Sequence, residues 1–396
     1  VGGDRWWAAV AAAGTPLWCP HGLPGGAGDG TGVPTLVFLH RQAGPGSAYL
    51  DLNGLTDRSA LVAGAMTRLP GTDVHVAAFA VPPGWVGSYA VVPHDEPLVP
   101  PAPRNTPEAR RWWLGVLAAA RPDPWAAGGG YLDSRGSARS IASVPADATG
   151  PVAACAPSAG RAGAGPGPRT WRRPDGVEQP VWLHVPETAD REVGLLVLFD
   201  GLMWAHRAPV APVLDDLHRR GAIPPTAAVL LDAIDVDRRA ADLAGGDGYL
   251  DLLADDLLPR VVAPALGERG LALHPDPRRT VVAGQSYGGL AAFRAVARRP
   301  ERFGVALCQS GSFWWPEMAA PDRRAVPALL RAAGPRTART VLQYGAYEGE
   351  LTDANREVAG LLRERGEDHV VLEVPGGHDW AWWSRRLGAG LVAALA

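Results

Sequence analysis

The sequence predicts a two-domain protein of the α/β class, with a C-terminal, mostly parallel sheet flanked by helices behind an N-terminal immunoglobulin-like β-sandwich. Three observations predict this. The chain has 396 residues, more than one ordinary core requires. From Thr170 onward, strand-length apolar runs alternate with helix-length amphipathic segments, the pattern of a parallel sheet covered on its faces. Upstream, short strands follow one another across turns with no helix between them. The expected boundaries are 1–105 for the sandwich, 106–170 for a linker and 171–396 for the α/β domain.

In chain order, Thr35-Leu36-Val37-Phe38-Leu39 is a short apolar strand. A second, Ala48-Tyr49-Leu50-Asp51-Leu52, stops at the turn signal Asn53-Gly54. Residues 72–77 alternate in polarity, and a strand over 87–92 follows the breaker Pro82-Pro83-Gly84. Residues 106–170 are dominated by Pro, Gly and Ala. They hold one predicted helix, 107–120, and a run of small residues and Pro over 153–168, so they read as a linker. Beyond it the spacing predicts strands at 181–185, 194–199, 227–232, 280–283, 305–309, 340–344 and 370–374. Helices are expected over 209–220, 249–262, 287–298 and 354–365.

Composition narrows the function. Hydrophobic content of 47% with 20% charged residues suits a globular chain. A formal net charge of -3 lacks the basic surplus of a nucleic-acid binder. Cys19, Cys155 and Cys308 are odd in number and widely spaced, so neither a disulfide framework nor a zinc site is expected. No basic region followed by an apolar stretch and cleavage site opens the chain, and no run is long enough to span a membrane. The expectation is a cytoplasmic protein without membrane or nucleic-acid partners. No His/Cys/Asp cluster has metal-ligand spacing, so neither a metal nor another cofactor is expected.

The segment 280–298 reads as strand, sharp turn, helix, and the turn is Gly284-Gln285-Ser286-Tyr287-Gly288. In the α/β-hydrolase arrangement this Gly-x-Ser-x-Gly turn thrusts the serine hydroxyl above the carboxyl edge of the sheet. The glycines would leave room where a side chain would collide with the neighbouring strand and helix. Ser286 is therefore the candidate nucleophile; its alternative is a residue that caps the helix. A serine hydroxyl needs a base. His378, after the strand 370–374 and a Pro375-Gly376-Gly377 loop expected to be flexible, fits the order serine, acid, histidine. The acid should follow the strand 340–344, where Glu348, Glu350 and Asp353 are available. Glu348 comes soonest and is preferred. The oxyanion hole should use the Tyr287 amide and an amide of Gly201 or Leu202, after the strand 194–199.

At these residues the chain resembles the enterochelin esterase family. Ala283 to Leu290, Arg299-Pro300-Glu301-Arg302-Phe303-Gly304 and Gln309-Ser310-Gly311-Ser312-Phe313-Trp314-Trp315 resemble its nucleophile region. Leu198-Phe199-Asp200-Gly201-Leu202-Met203-Trp204 resembles its oxyanion loop. Gly376-Gly377-His378-Asp379-Trp380 matches its histidine block, and Gly345 through Asn355 its acid loop. Asp232-Ala233-Ile234-Asp235 with Arg239 and Asp242 resembles a further block, in which Asp242 replaces the usual Glu. Asp51 to Asp57, Leu69 to Val74 and Trp85 to Tyr89 resemble the family's own sandwich domain.

The resemblance implies hydrolysis of the trilactone esters of a ferric catecholate siderophore of the enterobactin type, releasing iron in the cytoplasm. Iron then enters only as part of the substrate. Such a ligand is anionic and aromatic, so its pocket should offer cationic and aromatic groups. Arg239, Arg207, Trp204, Trp314 and Trp315 are the candidates. The rival role for Arg239 is an ion pair with Asp242. Two other functions stay open: a general carboxylesterase of the esterase-D type acting on small acyl esters or thioesters, and a protein that binds the siderophore without cleaving it.

Overall fold

The computed structural model describes residues 1–23, 33–56, 61–101, 106–145, 167–332 and 338–396. The chain divides into two compact units. One is Val1–Ser158 together with Val374–Trp382; the other is Ala159–Glu373 together with Trp383–Ala396.

The strands of the first unit are β1 (Leu17–Cys19), β2 (Thr35–Arg41), β3 (Ser47–Leu52), β4 (Thr67–Arg68), β5 (Val74–Ala80), β6 (Val86–His94), β7 (Gly130–Leu132) and β8 (Ala138–Ser143). They form two four-stranded antiparallel sheets, ordered β1-β2-β5-β4 and β3-β6-β8-β7. Phe38 of the first sheet meets Tyr89 of the second edge-on, with ring centroids 4.8 Å apart and both side chains buried. That contact lies in the sandwich core. Gly54 takes φ 79° in the turn that ends β3, a conformation glycine adopts without steric cost.

The interval read as linker carries sandwich structure. Its helix, Pro107–Leu117, is capped by the Thr106 hydroxyl accepting from the Ala109 amide, and Pro107 occupies the first turn. Trp113 packs edge-on against Tyr49 at 5.5 Å. Strands β7 and β8 then complete the second sheet. They escape sequence reading because they are short and built mostly of small or polar residues, so pairing rather than propensity forms them. Most of the run 153–168 lies outside the described residues. An unforeseen helix, Asp4–Ala13, stacks its Trp7 on Trp125 at 4.6 Å.

The second unit contains β9 (Arg169–Arg172), β10 (Glu178–His184), β11 (Glu192–Phe199), β12 (Thr226–Leu231), β13 (Ala272–Leu273), β14 (Thr280–Gln285), β15 (Val305–Gln309), β16 (Arg339–Gly345) and β17 (His369–Val374). The sheet order is β17-β16-β15-β14-β11-β12-β10-β9, with β13 beside β11. Strands β12, β11, β14, β15 and β16 run parallel, while β9 and β10 are antiparallel at one edge. Every residue of β12, β14 and β15 is buried, as a sheet covered on both faces requires.

The expected helix over 249–262 changes character along its length. It begins as the α-helix Gly248–Leu252, widens to a π-helix over Leu253–Val262, and resumes as Ala263–Gly267. Pro259 lies inside the wide part. A proline ring clashes with the carbonyl four residues back, and a wider turn accommodates it. Among the described residues, no helix is long and apolar enough to cross a membrane.

Candidate active site

Strands β12, β11, β14 and β15 are parallel neighbours, so their C-terminal ends share one edge of the sheet. Among the described residues, the non-glycine residues with positive φ are Asp200 (62°), Ile234 (64°), Ser286 (58°) and Ser310 (49°). Asp200 follows β11, Ile234 follows β12, Ser286 follows β14 and Ser310 follows β15. Each such residue costs about 1–3 kcal/mol, and their gathering on one edge marks a functional rim.

Ser286 stands between β14 and the helix Tyr287–Arg298 at φ 58° and ψ −116°, and its side chain makes no capping bond to that helix. The alternative of a helix-capping serine therefore fails. Its amide donates to the Gln309 carbonyl at 3.0 Å, and the Ser312 amide donates to its carbonyl at 3.0 Å. The Ser286 Oγ lies 3.2 Å from Ser312 Oγ. A Cβ on Gly284 would stand 2.7 Å from the Gly288 carbonyl carbon, so glycine is required there. At Gly288 a Cβ would meet Phe199 at 3.4 Å, close to ordinary contact, whereas at Gly289 it would meet Gly311 Cα at 2.9 Å. The crowding expected at 288 thus falls mainly on 289. Tyr287 opens the helix, where first-turn amides have no intrahelical acceptor.

After β11 the loop turns at Asp200. A Cβ on Gly201 would stand 2.8 Å from the carbonyl carbons of Leu230 and Leu231, so the loop lies directly against β12. Asp200 is held by Arg239 through Nε at 2.6 Å and Nη2 at 2.7 Å. The expected alternative partner of Arg239, Asp242, instead pairs with Arg173 and Arg238. The Asp232 carboxylate accepts from the Ala233 amide at 2.9 Å, and burial pushes its pKa above the usual range. Gly201 and Leu202 both remain oxyanion candidates on this loop. Trp204, expected on the pocket wall, is instead 1% exposed and donates its indole N–H to Gln285 Oε1 at 3.2 Å. It is a packing residue beneath the turn. Arg207 is half-buried, with Nη1 3.9 Å from Met203 Sδ.

The three carboxylates after β16 separate by burial. Glu350 and Asp353 are exposed, while Glu348 is buried. Glu348 Oε1 accepts from the Ser310 hydroxyl at 2.6 Å and from the Gly345 amide at 2.6 Å. The Ser310 Oγ in turn accepts from the Trp383 indole N–H at 2.9 Å. Ser310 and Ser312 thus contact the candidate acid and nucleophile respectively, roles sequence reasoning did not assign. Their place in the block that follows β15 was the available signal.

Below the rim, three glutamines on adjacent strands form a buried ladder. Gln285 Nε2 donates to Gln309 Oε1 at 2.8 Å, and Gln309 Nε2 donates to Gln343 Oε1 at 2.8 Å. Gln309 Nε2 also reaches the Trp383 carbonyl at 2.9 Å, and Gln343 Nε2 the Arg386 carbonyl at 2.9 Å. The ladder links the residue before Ser286 to the residue before Ser310 and to β16, which leads to Glu348. Half-buried aromatic rings lie beside the nucleophile: Tyr287 is 5.9 Å from Trp314 and 5.6 Å from Trp315.

His378 belongs to the first unit, in the segment Val374–Trp382, whereas Ser286, Glu348, Tyr287, Gly201, Leu202, Arg239, Arg207, Trp204, Trp314 and Trp315 belong to the second. The Pro375-Gly376-Gly377 stretch is not glycine-rich for flexibility. A Cβ on Gly376 would stand 2.8 Å from Trp382 Cδ1 and 2.9 Å from the Val86 carbonyl oxygen. Both glycines are buried. They are close-approach glycines.

The chain matches the Esterase family model over residues 176–394 and the model of the enterochelin esterase N-terminal domain over residues 35–150. It is 33% identical to the iron(III) enterobactin esterase of Escherichia coli (strain K12), covering 83% of this chain and 81% of that protein. The structure of the ferric enterobactin esterase from Salmonella typhimurium superposes with a TM-score of 0.82 at 29% identity, over 99% of this chain and 98% of that one. The Shigella flexneri enterobactin esterase, solved in the presence of enterobactin, gives a TM-score of 0.78 at 30% identity, over 100% of this chain and 98% of that one.

Proposed function

The chain belongs to the enterochelin esterase family, and we propose that it hydrolyses the trilactone esters of a ferric catecholate siderophore of the enterobactin type through attack by Ser286. The observation that carries the assignment is the strained, non-capping geometry of Ser286 at the rim of the parallel sheet.

In the proposed reaction, Ser286 Oγ attacks the ester carbonyl carbon while His378 takes the hydroxyl proton. Glu348, anchored through Oε1, orients the imidazole and stabilises its charged form. The Tyr287 amide, with that of Gly201 or Leu202, receives the negative charge that develops on the carbonyl oxygen. The ester C–O bond then breaks, and His378 returns its proton to the departing alkoxide. Water, deprotonated by the same imidazole, attacks the acyl-enzyme and restores the serine. Repetition at each ester opens the ring and releases linear products.

Iron is cargo of the substrate and takes no part in these steps. Its release in the cytoplasm follows from weaker chelation by the cleaved fragments. The rings of Tyr287, Trp314 and Trp315 offer stacking surfaces for catechol groups, and Arg207 a cation for their negative charge.

The test is incubation of pure protein with ferric and iron-free enterobactin, read by mass spectrometry beside p-nitrophenyl acetate hydrolysis. Stepwise addition of water to the siderophore supports the proposal. An intact siderophore with turnover of p-nitrophenyl acetate would point to a general carboxylesterase.

A further inference from the structure

The segment that carries His378 is gripped by the sandwich at several points. The chain enters the first unit at Val374 and leaves it after Trp382. Within that unit, the Val86 amide donates to the Pro375 carbonyl at 3.0 Å. The Asn53 side-chain amide donates to the His378 carbonyl at 3.1 Å. Asp379, only 2% exposed, accepts the Ser88 amide on Oδ2 and the Tyr131 hydroxyl on Oδ1. The Ser88 carbonyl accepts from the Asn53 amide at 2.9 Å, so the end of β3 and the strand β6 hold the segment together. A Cβ on Gly377 would collide with Asn53 Oδ1 and stand 2.8 Å from the Gly54 backbone, which shows how closely the turn and the segment fit.

The chemistry of these contacts suits a rigid mount. Burial and the nearby Asp379 charge push the Tyr131 hydroxyl well above the ordinary phenol range, so it remains a donor throughout the working pH range. A carboxylate accepting several bonds, from Ser88, Tyr131 and the Ala381 amide at 3.0 Å, has little rotational freedom. His378 therefore has its own carbonyl tied by Asn53 and its following neighbour tied by Ser88 and Tyr131.

We infer that the β-sandwich positions the catalytic base: Asn53 and Tyr131 act through the His378 carbonyl and the Asp379 carboxylate to fix where the imidazole stands. The inference rests on the reading of His378 as the base. It gives the N-terminal domain a part in each turnover rather than only a structural one. A base must sit within hydrogen-bond reach of the proton it takes, and misplacement by about 1 Å costs about a hundredfold in rate.

The test uses the full chain with Asn53→Ala, Tyr131→Phe and the double substitution. Each is assayed for p-nitrophenyl butyrate hydrolysis, for the rate of serine labelling by a fluorophosphonate, and for thermal melting. Tyr131→Phe removes a single oxygen and keeps the ring, so it preserves the fold and keeps the inference testable should the double variant fail to fold. The expected result is kcat and labelling rate lowered about tenfold in each single variant and about a hundredfold in the double. KM should stay close to the parent value, and melting should remain a single cooperative transition at a modestly lower temperature. Parent-like kcat and labelling in the double variant, with His378→Ala inactive, would overturn the inference while leaving the base assignment intact. An active His378→Ala variant would overturn the assignment beneath it.

Discussion

Asp200 and Arg239 form a bidentate ion pair, with the guanidinium also donating to the Gln285 carbonyl at 3.2 Å. One side chain therefore ties the loop carrying Gly201 to the residue that precedes Ser286. The pair is largely withdrawn from solvent, with side-chain exposures of 23% for Arg239 and 10% for Asp200. Lysine keeps the charge but cannot reproduce the fork. Arg239→Lys should lower kcat about tenfold and stability by about 1–2 kcal/mol, less than for a fully buried pair. Steady-state kinetics and urea unfolding measure both. A rise confined to KM for the anionic siderophore would instead show Arg239 to be a substrate ligand.

Glu348 is distinguished from Glu350 and Asp353 by burial and by the Ser310 and Gly345 donors on its Oε1. Glu348→Gln should lower kcat by about a thousandfold or more, because the amide no longer stabilises a charged imidazole. Glu350→Gln and Asp353→Asn should leave kcat near its parent value. Ester hydrolysis measured on the three variants side by side decides it, and a severe loss in either of the exposed pair would reassign the acid.

Gln309 is 0% exposed and stands at the middle of the glutamine ladder. Gln309→Leu fills similar space but strips partners from Gln285, Gln343 and the Trp383 carbonyl. The expected loss is about 3 kcal/mol, the cost of leaving buried polar groups unmatched. Urea denaturation reads it, and kcat should fall as well, since the ladder sets the heights of the strand ends bearing Ser286 and Ser310. Unchanged unfolding would mean that the ladder contributes little.

Trp314 and Trp315 differ from Trp204 in remaining half-exposed beside Tyr287. Replacing both by Ala should weaken binding of a catecholate by about 1–3 kcal/mol while leaving KM for p-nitrophenyl acetate nearly unchanged. Fluorescence quenching titrations on the double variant test this. Equal losses on both substrates would mark a folding defect.

Some of this architecture was legible in the chain. The helix Tyr287–Arg298 and the strand Val305–Gln309 lie where apolar periodicity and the flanking turns put them. They are local features of a buried parallel sheet. The Asn53-Gly54 turn was equally legible, but its grip on the His378 carbonyl was not, because that bond spans 325 positions of sequence. Strands β7 and β8 gain their form from neighbours. The helix Trp380–Leu395 did carry a signal that was missed: Asp379 precedes it and accepts the Ala381 amide at 3.0 Å. Which carboxylate is buried and which tryptophan faces inward are tertiary facts, invisible to spacing.

The most direct measurement is ferric enterobactin hydrolysis by Ser286→Ala, paired with a quenching titration of the same variant. The account predicts a fall in kcat of about four to six orders of magnitude, with siderophore affinity retained. Turnover within a few-fold of the parent enzyme would contradict it, because the strained hydroxyl at the sheet rim would then not be the attacking group.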